Sequence, residues 1–136
     1  SPLADVKADI CALPFSDNSY DLIICNHVLE HIPDDQKAMS ELLRVLKPGG
    51  QAILQVPYQA DRTKTFQDDS IIDPKQRTEI FGQYDHVRVY GIDYFDRLKR
   101  VGFRVEAFDI AHELTPTEIE QYGLAPGELI PLAFKD

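Results

Sequence analysis

The spacing of hydrophobic positions changes along the chain, and the changes predict an α/β architecture. Leu22-Ile23-Ile24-Cys25 is an unbroken apolar run without alternation. Such a run is expected of a parallel strand covered by helices on both faces, so a central strand is predicted here. After Ile32-Pro33 closes a turn, Asp34-Asp35 place negative charge at a helix start, where the macrodipole favours it. Ala38, Met39, Leu42, Leu43 and Leu46 then recur at three- and four-residue intervals, with Lys37, Glu41 and Arg44 expected to face outward. Lys47-Pro48-Gly49-Gly50 predicts the helix stop, because proline cannot continue the ladder and glycine takes the positive φ of an exit. A second strand is predicted from Gln51 to Val56.

Residues 58–90 are longer than an ordinary βα connection. They leave the carboxyl end of a predicted parallel strand, where α/β sheets keep their ligands. A substrate-facing, lid-like insertion is therefore expected, with a solvated surface excursion as the alternative. Asp73-Pro74 can open a short helix within it and Gly82 lies beyond its end. A third helix is predicted from Ile92 to Val101, with Phe95, Leu98 and Val101 inward and Gly102 as terminator. Phe103, Val105 and Ala107 alternate with Arg104 and Glu106, which predicts a strand near the sheet edge. Thr115-Pro116-Thr117-Glu118 has the form of a capping box, with a short helix ending near Tyr122-Gly123. The last strand is placed at Leu129 to Phe134, with a bulge or shortened ladder at Pro131.

Composition narrows the function classes. A chain of 136 residues with 43% hydrophobic positions suits a single domain with one core. The net charge of -9 comes without any cluster of Lys and Arg, which argues against nucleic acid as a partner. No long apolar run or signal-like start is present, so neither a membrane partner nor secretion is expected. Cys11 and Cys25 cannot make a disulfide framework and lack metal-ligand spacing; they read as buried thiols of a reducing cytoplasm.

Three motifs carry the candidate chemistry: Asp9-Ile10-Cys11-Ala12-Leu13-Pro14-Phe15, the stretch Tyr20 to Ile32 with Asn26-His27 at a strand end, and Arg44 to Gly50. Together they resemble the class I S-adenosylmethionine-dependent methyltransferases, in particular the small-molecule, type-11-like group. The resemblance is strongest over residues 8–58 and looser over residues 86–136. It implies a Rossmann-like sheet whose final strand runs antiparallel between two others, S-adenosyl-L-methionine as cofactor and a small-molecule acceptor. It further implies that Asp9 accepts a hydrogen bond from the adenine amino group, that the amide of Ile10 faces a ring nitrogen, and that Asn26 and His27 line the methionine end. The plain alternatives are a turn residue at Asp9, a turn cap at Asn26 and a structural histidine at His27.

Tyr84 to Gly91 contains a D-H-V-R segment similar to one in some bacterial methyltransferases of this type. His86 is a candidate base, since imidazole titrates near neutrality. Alternatively, Asp85, His86 and Arg88 form a network fastening the insertion to the sheet. His112 is expected to be exposed. His27-Val28-Leu29-Glu30-His31 also matches the H-x-x-E-H signature of a zinc-peptidase group, which requires both histidines on one sustained helix. Pro33 interrupts any such helix, so no metal set is expected, and Glu30 and His31 are predicted to close the turn beneath the site.

The glycine-rich first turn of the resembled family is missing, and Gly49-Gly50 leads into a strand rather than into a helix. The sequence therefore reads as a partial domain, incomplete at its N-terminal half, with the remainder before Ser1, and inactive in this form. That reading leaves Leu22 to Cys25 with an open edge and predicts self-association along it. It also keeps open a second class of function, a non-catalytic methyltransferase-like interaction module.

Overall fold

A computed structural model describes residues 4–123 and 127–136. In chain order it contains β1 (Tyr20–Ile24), α1 (Asp35–Val45), β2 (Leu46–Ile53), β3 (Tyr58–Gln59), β4 (Phe66–Gln67), α2 (Pro74–Phe81), β5 (Arg88–Gly91), α3 (Tyr94–Val101), β6 (Arg104–Asp109), α4 (Pro116–Gln121) and β7 (Leu129–Phe134). Short 3-10 turns lie between β1 and α1 (Leu29–His31) and between β6 and α4 (Ile110–Glu113).

Helix α1 starts at the predicted place because the Asp34 side chain accepts the Lys37 amide at 2.9 Å. Its apolar face buries Ala38, Met39, Leu42 and Val45. Glu41, expected to face outward, is buried instead. Its carboxylate accepts the Leu13 amide at 2.9 Å and the Arg44 guanidinium at 2.8 Å. The Arg44 hydrogen bond, with help from the Leu13 amide, holds the Glu41 carboxyl at about 2 against the opposing effect of desolvation. Arg44 also donates to the carbonyls of Leu13 and Phe15, at 3.0 and 2.8 Å. The pair therefore clasps the Asp9-to-Phe15 loop along α1.

The predicted helix stop lies inside β2. Leu46 is already extended, with ψ of 136°, and the Lys47 to Gly50 stretch bulges between the Tyr20↔Leu46 and Leu22↔Gln51 pairs. Gly49, at φ 79°, supplies the left-handed residue that this bulge requires. Strand assignment ends at Ile53, short of the predicted Val56.

The described four-stranded sheet has the order β1-β2-β7-β6. β1 is parallel to β2, and β7 runs antiparallel between β2 and β6, as the resemblance implied. The prediction of a central strand at Leu22 to Cys25 is corrected. Among the described residues β1 pairs on one side only, the open edge expected of a partial domain, and Leu22 and Ile24 are 54% and 64% exposed while Ile23 packs against the core. An unalternated apolar run here covers one face and leaves the other bare. Pro131 causes no bulge, because its ladder with β6 continues through Ala107. The missing N–H shortens only the β2 side, where pairing stops at Ile53↔Leu132 and the Pro131 carbonyl accepts the Leu54 amide at 3.3 Å.

Residues 58–90 are substantially folded. β3, β5 and β4 form a three-stranded sheet, and α2 begins and ends at its predicted signals, Asp73 and Gly82. At Gly91 an added Cβ would stand 2.5 Å from the Arg62 carbonyl, so glycine permits the chain crossing there. Arg88, 1% exposed, ties this segment to the β1–α1 connection. It donates to the carbonyls of Leu29, Ile32 and Pro33 at 2.6, 2.6 and 2.7 Å, and to Gln67 Oε1. α3 buries Tyr94 and Leu98 but starts later than predicted, leaving Ile92 exposed. The capping box of α4 forms as predicted, with Thr115 and Glu118 in reciprocal hydrogen bonds.

A charged cluster lies under the sheet. Asp35 receives Arg97 at 2.6 and 2.7 Å and the Tyr90 hydroxyl at 2.7 Å, with Arg88 Nε at 3.8 Å. Burial pushes the Tyr90 phenol well above its ordinary range, and the Asp35 charge adds to the effect.

Candidate functional site

The carboxyl end of β1 is held by β2 and its continuation. The Cys25 amide donates to the Ile53 carbonyl at 2.9 Å, and the His27 amide donates to the Gln55 carbonyl at 2.8 Å. Asn26 Oδ1 accepts the Gln55 amide at 3.3 Å. His27 has φ of 54°, a left-handed conformation uncommon outside glycine, and its side chain is exposed. Such backbone geometry at a strand end concentrates at ligand sites.

The Asp9 loop lies at the same end. Asp9 Oδ1 accepts the Cys11 amide at 2.9 Å, and the Asp9 carbonyl accepts the Ala12 amide at 3.0 Å. This is an Asx turn, which leaves the Asp9 side chain exposed. Cys11 Sγ sits 3.6 Å from the carbonyl of Asp34, the cap of α1. Since α1 follows β1 through this connection, the Cys11 contact with the α1 cap sets the Asp9 loop toward the end of the sheet that carries Asn26 and His27. Ile10 is half-buried and packs against the core. Cys11 is also half-buried, which corrects its prediction as a buried thiol. Cys25 is buried, and burial together with the Glu30 charge raises its thiol to about 11.

His86 belongs to a second group. It borders a cleft of about 270 Å³ shared with Tyr58, Gln59, Phe81 and Arg88. Its Nδ1 lies 3.2 Å from the Phe81 carbonyl, and its ring meets that of His31 edge-on at 4.7 Å. His31 Nδ1 lies 3.3 Å from Asp85, and the Val87 amide donates to the Glu30 carbonyl at 3.0 Å. Of the sequence alternatives, the fastening network is formed through Asp85 and Arg88, and His86 borders the cleft beside it. Glu30 joins the two groups, with His27 Nδ1 at 3.5 Å and His31 Nε2 at 3.8 Å from its Oε1. Its burial agrees with the expectation that Glu30 and His31 close the turn beneath the site. His112 is exposed, as expected.

The peptidase geometry is not formed. His27 precedes a 3-10 turn of 3 residues, so the two histidines of the H-x-x-E-H string do not share a helix face. A separate apolar hollow of about 260 Å³, lined by Leu13, Phe15, Tyr20, Leu22 and Ile23 among others, lies along the open flank of β1. Among the described residues, no helix is long and apolar enough to cross a membrane.

Comparison with known proteins bears on this arrangement directly. The family model described as "Methyltransferase domain" matches residues 2–54, the segment that supplies the Asp9 loop, β1, α1 and β2. The ubiquinone/menaquinone biosynthesis C-methyltransferase UbiE of Idiomarina loihiensis is 45% identical over 49 residues, covering 36% of this chain and 20% of that protein. A possible histamine N-methyltransferase of Thermotoga maritima superposes with a TM-score of 0.58 at 18% identity, over 96% of this chain and 63% of that one. Residues 2–54 are similar to a methyltransferase domain, and the chain has a Rossmann-like methyltransferase fold. The fold is not reserved to methyl transfer by name, since the [4+2]-cyclase SpnF superposes with a TM-score of 0.57 at 19% identity, over 94% of this chain and 55% of that one. Sequence matches to curated methyltransferases span about a fifth of those proteins' lengths.

Proposed function

We propose that this chain contributes the Asp9 and Asn26-His27 side of an S-adenosyl-L-methionine site and serves methyl transfer to a small-molecule acceptor. The supporting observation is the contact of the Asp9 loop with the α1 cap, at the end of the sheet where the left-handed His27 closes β1. The donor set fits the cofactor: Asp9 is an exposed acceptor-only carboxylate beside the amide of Ile10, suited to an adenine edge. Asn26 and His27 stand where polar groups of a parallel sheet meet ligands. The quinone-biosynthesis naming of UbiE favours a small-molecule acceptor over a polymer. Two free thiols suit a cytoplasmic setting.

When bound, the cofactor supplies an electrophilic methyl group on a sulfonium. This chain's residues orient the two partners and exclude water, and His86 is the candidate to take a proton from a hydroxyl or amine acceptor. Calorimetric titration of the longest natural polypeptide carrying this chain with S-adenosylmethionine tests the reading. Saturable binding is expected, with Asp9→Ala weakening it about 10-fold, the equivalent of one lost hydrogen bond of about 1.4 kcal/mol. Absence of heat would instead support a non-catalytic interaction module.

A further inference from the structure

Glu30, His31 and His86 each offer one ligand atom, and all three atoms lie within 4.8 Å of one another. Glu30 is 2% exposed, and its Oε2 has no hydrogen-bond partner among the described residues. Its Oε1 contacts, at 3.5 and 3.8 Å to His27 and His31, are too long for hydrogen bonds of ordinary strength. A buried carboxylate so poorly matched is costly unless a cation meets it.

Both histidines are prepared for ligation. Metal-binding imidazoles characteristically engage their second ring nitrogen with a carboxylate or a backbone carbonyl, which fixes tautomer and orientation. Here His31 Nδ1 faces Asp85 Oδ2 at 3.3 Å, and His86 Nδ1 faces the Phe81 carbonyl at 3.2 Å. In each ring this leaves Nε2 as the ligand nitrogen. The Val87-to-Glu30 backbone hydrogen bond holds the two contributing segments in register.

We propose that Glu30, His31 and His86 form a site for a divalent cation of the imidazole-favouring class, with Zn²⁺ as its representative. One carboxylate and two imidazoles suit Zn²⁺ and its first-row neighbours, whereas Mg²⁺ and Ca²⁺ select oxygen-rich sets. Tetrahedral Zn²⁺ at about 2.0–2.1 Å from its donors places neighbouring donors roughly 3.4 Å apart, so binding draws the present cluster slightly inward. The expectation that no metal set exists rested on the lack of a sustained helix; a site built from a 3-10 turn and a facing loop needs none. The cation would cross-link the β1–α1 connection to the segment bearing His86 and, by occupying Nε2, would exclude that ring from acting as a base; the proposal does not depend on methyl transfer.

The test is calorimetry on untagged, chelator-treated protein titrated with ZnCl₂, then with MgCl₂. One equivalent of Zn²⁺ is expected to bind, without comparable heat from Mg²⁺. Asp85→Asn should weaken binding about 10–100-fold, the usual cost of losing a carboxylate that orients a ligand histidine. Glu30→Gln and His86→Ala should weaken it further, and His112→Ala should leave it unchanged. Should Glu30→Gln fail to fold, Co²⁺ added to the unaltered chain and to His86→Ala provides a second readout: visible absorption bands are expected for the former and their loss for the latter. No saturable Zn²⁺ binding, or binding and Co²⁺ bands indifferent to His86→Ala, would overturn the proposal.

Discussion

Asp35→Ala is expected to destabilise the fold by about 3–5 kcal/mol, read as a lower urea midpoint at unchanged slope. Asp35 is 3% exposed and receives the Arg97 guanidinium and the Tyr90 hydroxyl at hydrogen-bond distance. Removing it strands a partly buried cation and a buried phenol, and leaves Arg88 without the charge at 3.8 Å. Breaking a buried pair from one side costs more than the pair contributes net, because the remaining charge loses its compensation. Against a typical total of roughly 0.05–0.15 kcal/mol per residue, such a loss removes much of the stability of a chain this size. Asp35→Asn retains the volume and one acceptor oxygen, so a smaller loss is expected. A midpoint unmoved by Asp35→Ala would contradict this account of the core.

Arg88→Lys is expected to cost about 3 kcal/mol or more, despite conserving charge. The guanidinium reaches three carbonyls and Gln67 from a fully buried position, a fork that an ammonium cannot reproduce. Unlike Asp35→Ala, this change should act first on the segment from Tyr58 to Gly91. Faster amide exchange is expected in β5 and at the Leu29–His31 turn before global unfolding, since Arg88 is what binds one to the other. Exchange accelerated uniformly across the molecule would count against that assignment. Because Arg88 and Asp35 lie 3.8 Å apart and Arg88 and Tyr90 both donate to the Leu29 carbonyl, the two substitutions should combine non-additively.

These two residues also mark where sequence reasoning stops. Helix boundaries at Asp34, Asp73, Gly82, Gly102 and Thr115 follow from local capping chemistry, which acts within a few residues and is therefore visible in the string. Final-strand placement followed from the family resemblance. Asp35, by contrast, read only as a helix-start charge and Glu41 as a solvent-facing one; only their distant partners Arg97, Tyr90 and Leu13 make burial tolerable, and such pairing leaves no local pattern. β1 misled for a related reason: an apolar run declares what a strand can bury, while its actual cover depends on neighbours it does not encode. The Lys47-to-Gly50 signal was real turn chemistry assigned to the wrong element, since a strand bulge and a helix exit both use a left-handed glycine.

At the candidate site, sequence alone brought forward Asp9, Ile10, Asn26, His27 and His86. The structure adds how they are connected: Asp9 through its own turn and the α1 cap, Asn26 and His27 through Gln55, and His86 through His31 and Glu30. Gln55, just past β2, and Tyr58, in β3, carried no recognisable signal, because they act through position rather than through residue type.

The central claim is that the Asp9 loop and the tip of β1 line one cofactor crevice. Hydrogen exchange on the longest natural polypeptide carrying this chain, with and without saturating S-adenosylhomocysteine, tests it most directly. Slowed exchange is predicted at Ile10 to Ala12 and at Asn26 to Val28 together. Protection confined to one of these stretches, or found instead along the apolar flank of Leu22 and Phe15, would contradict it.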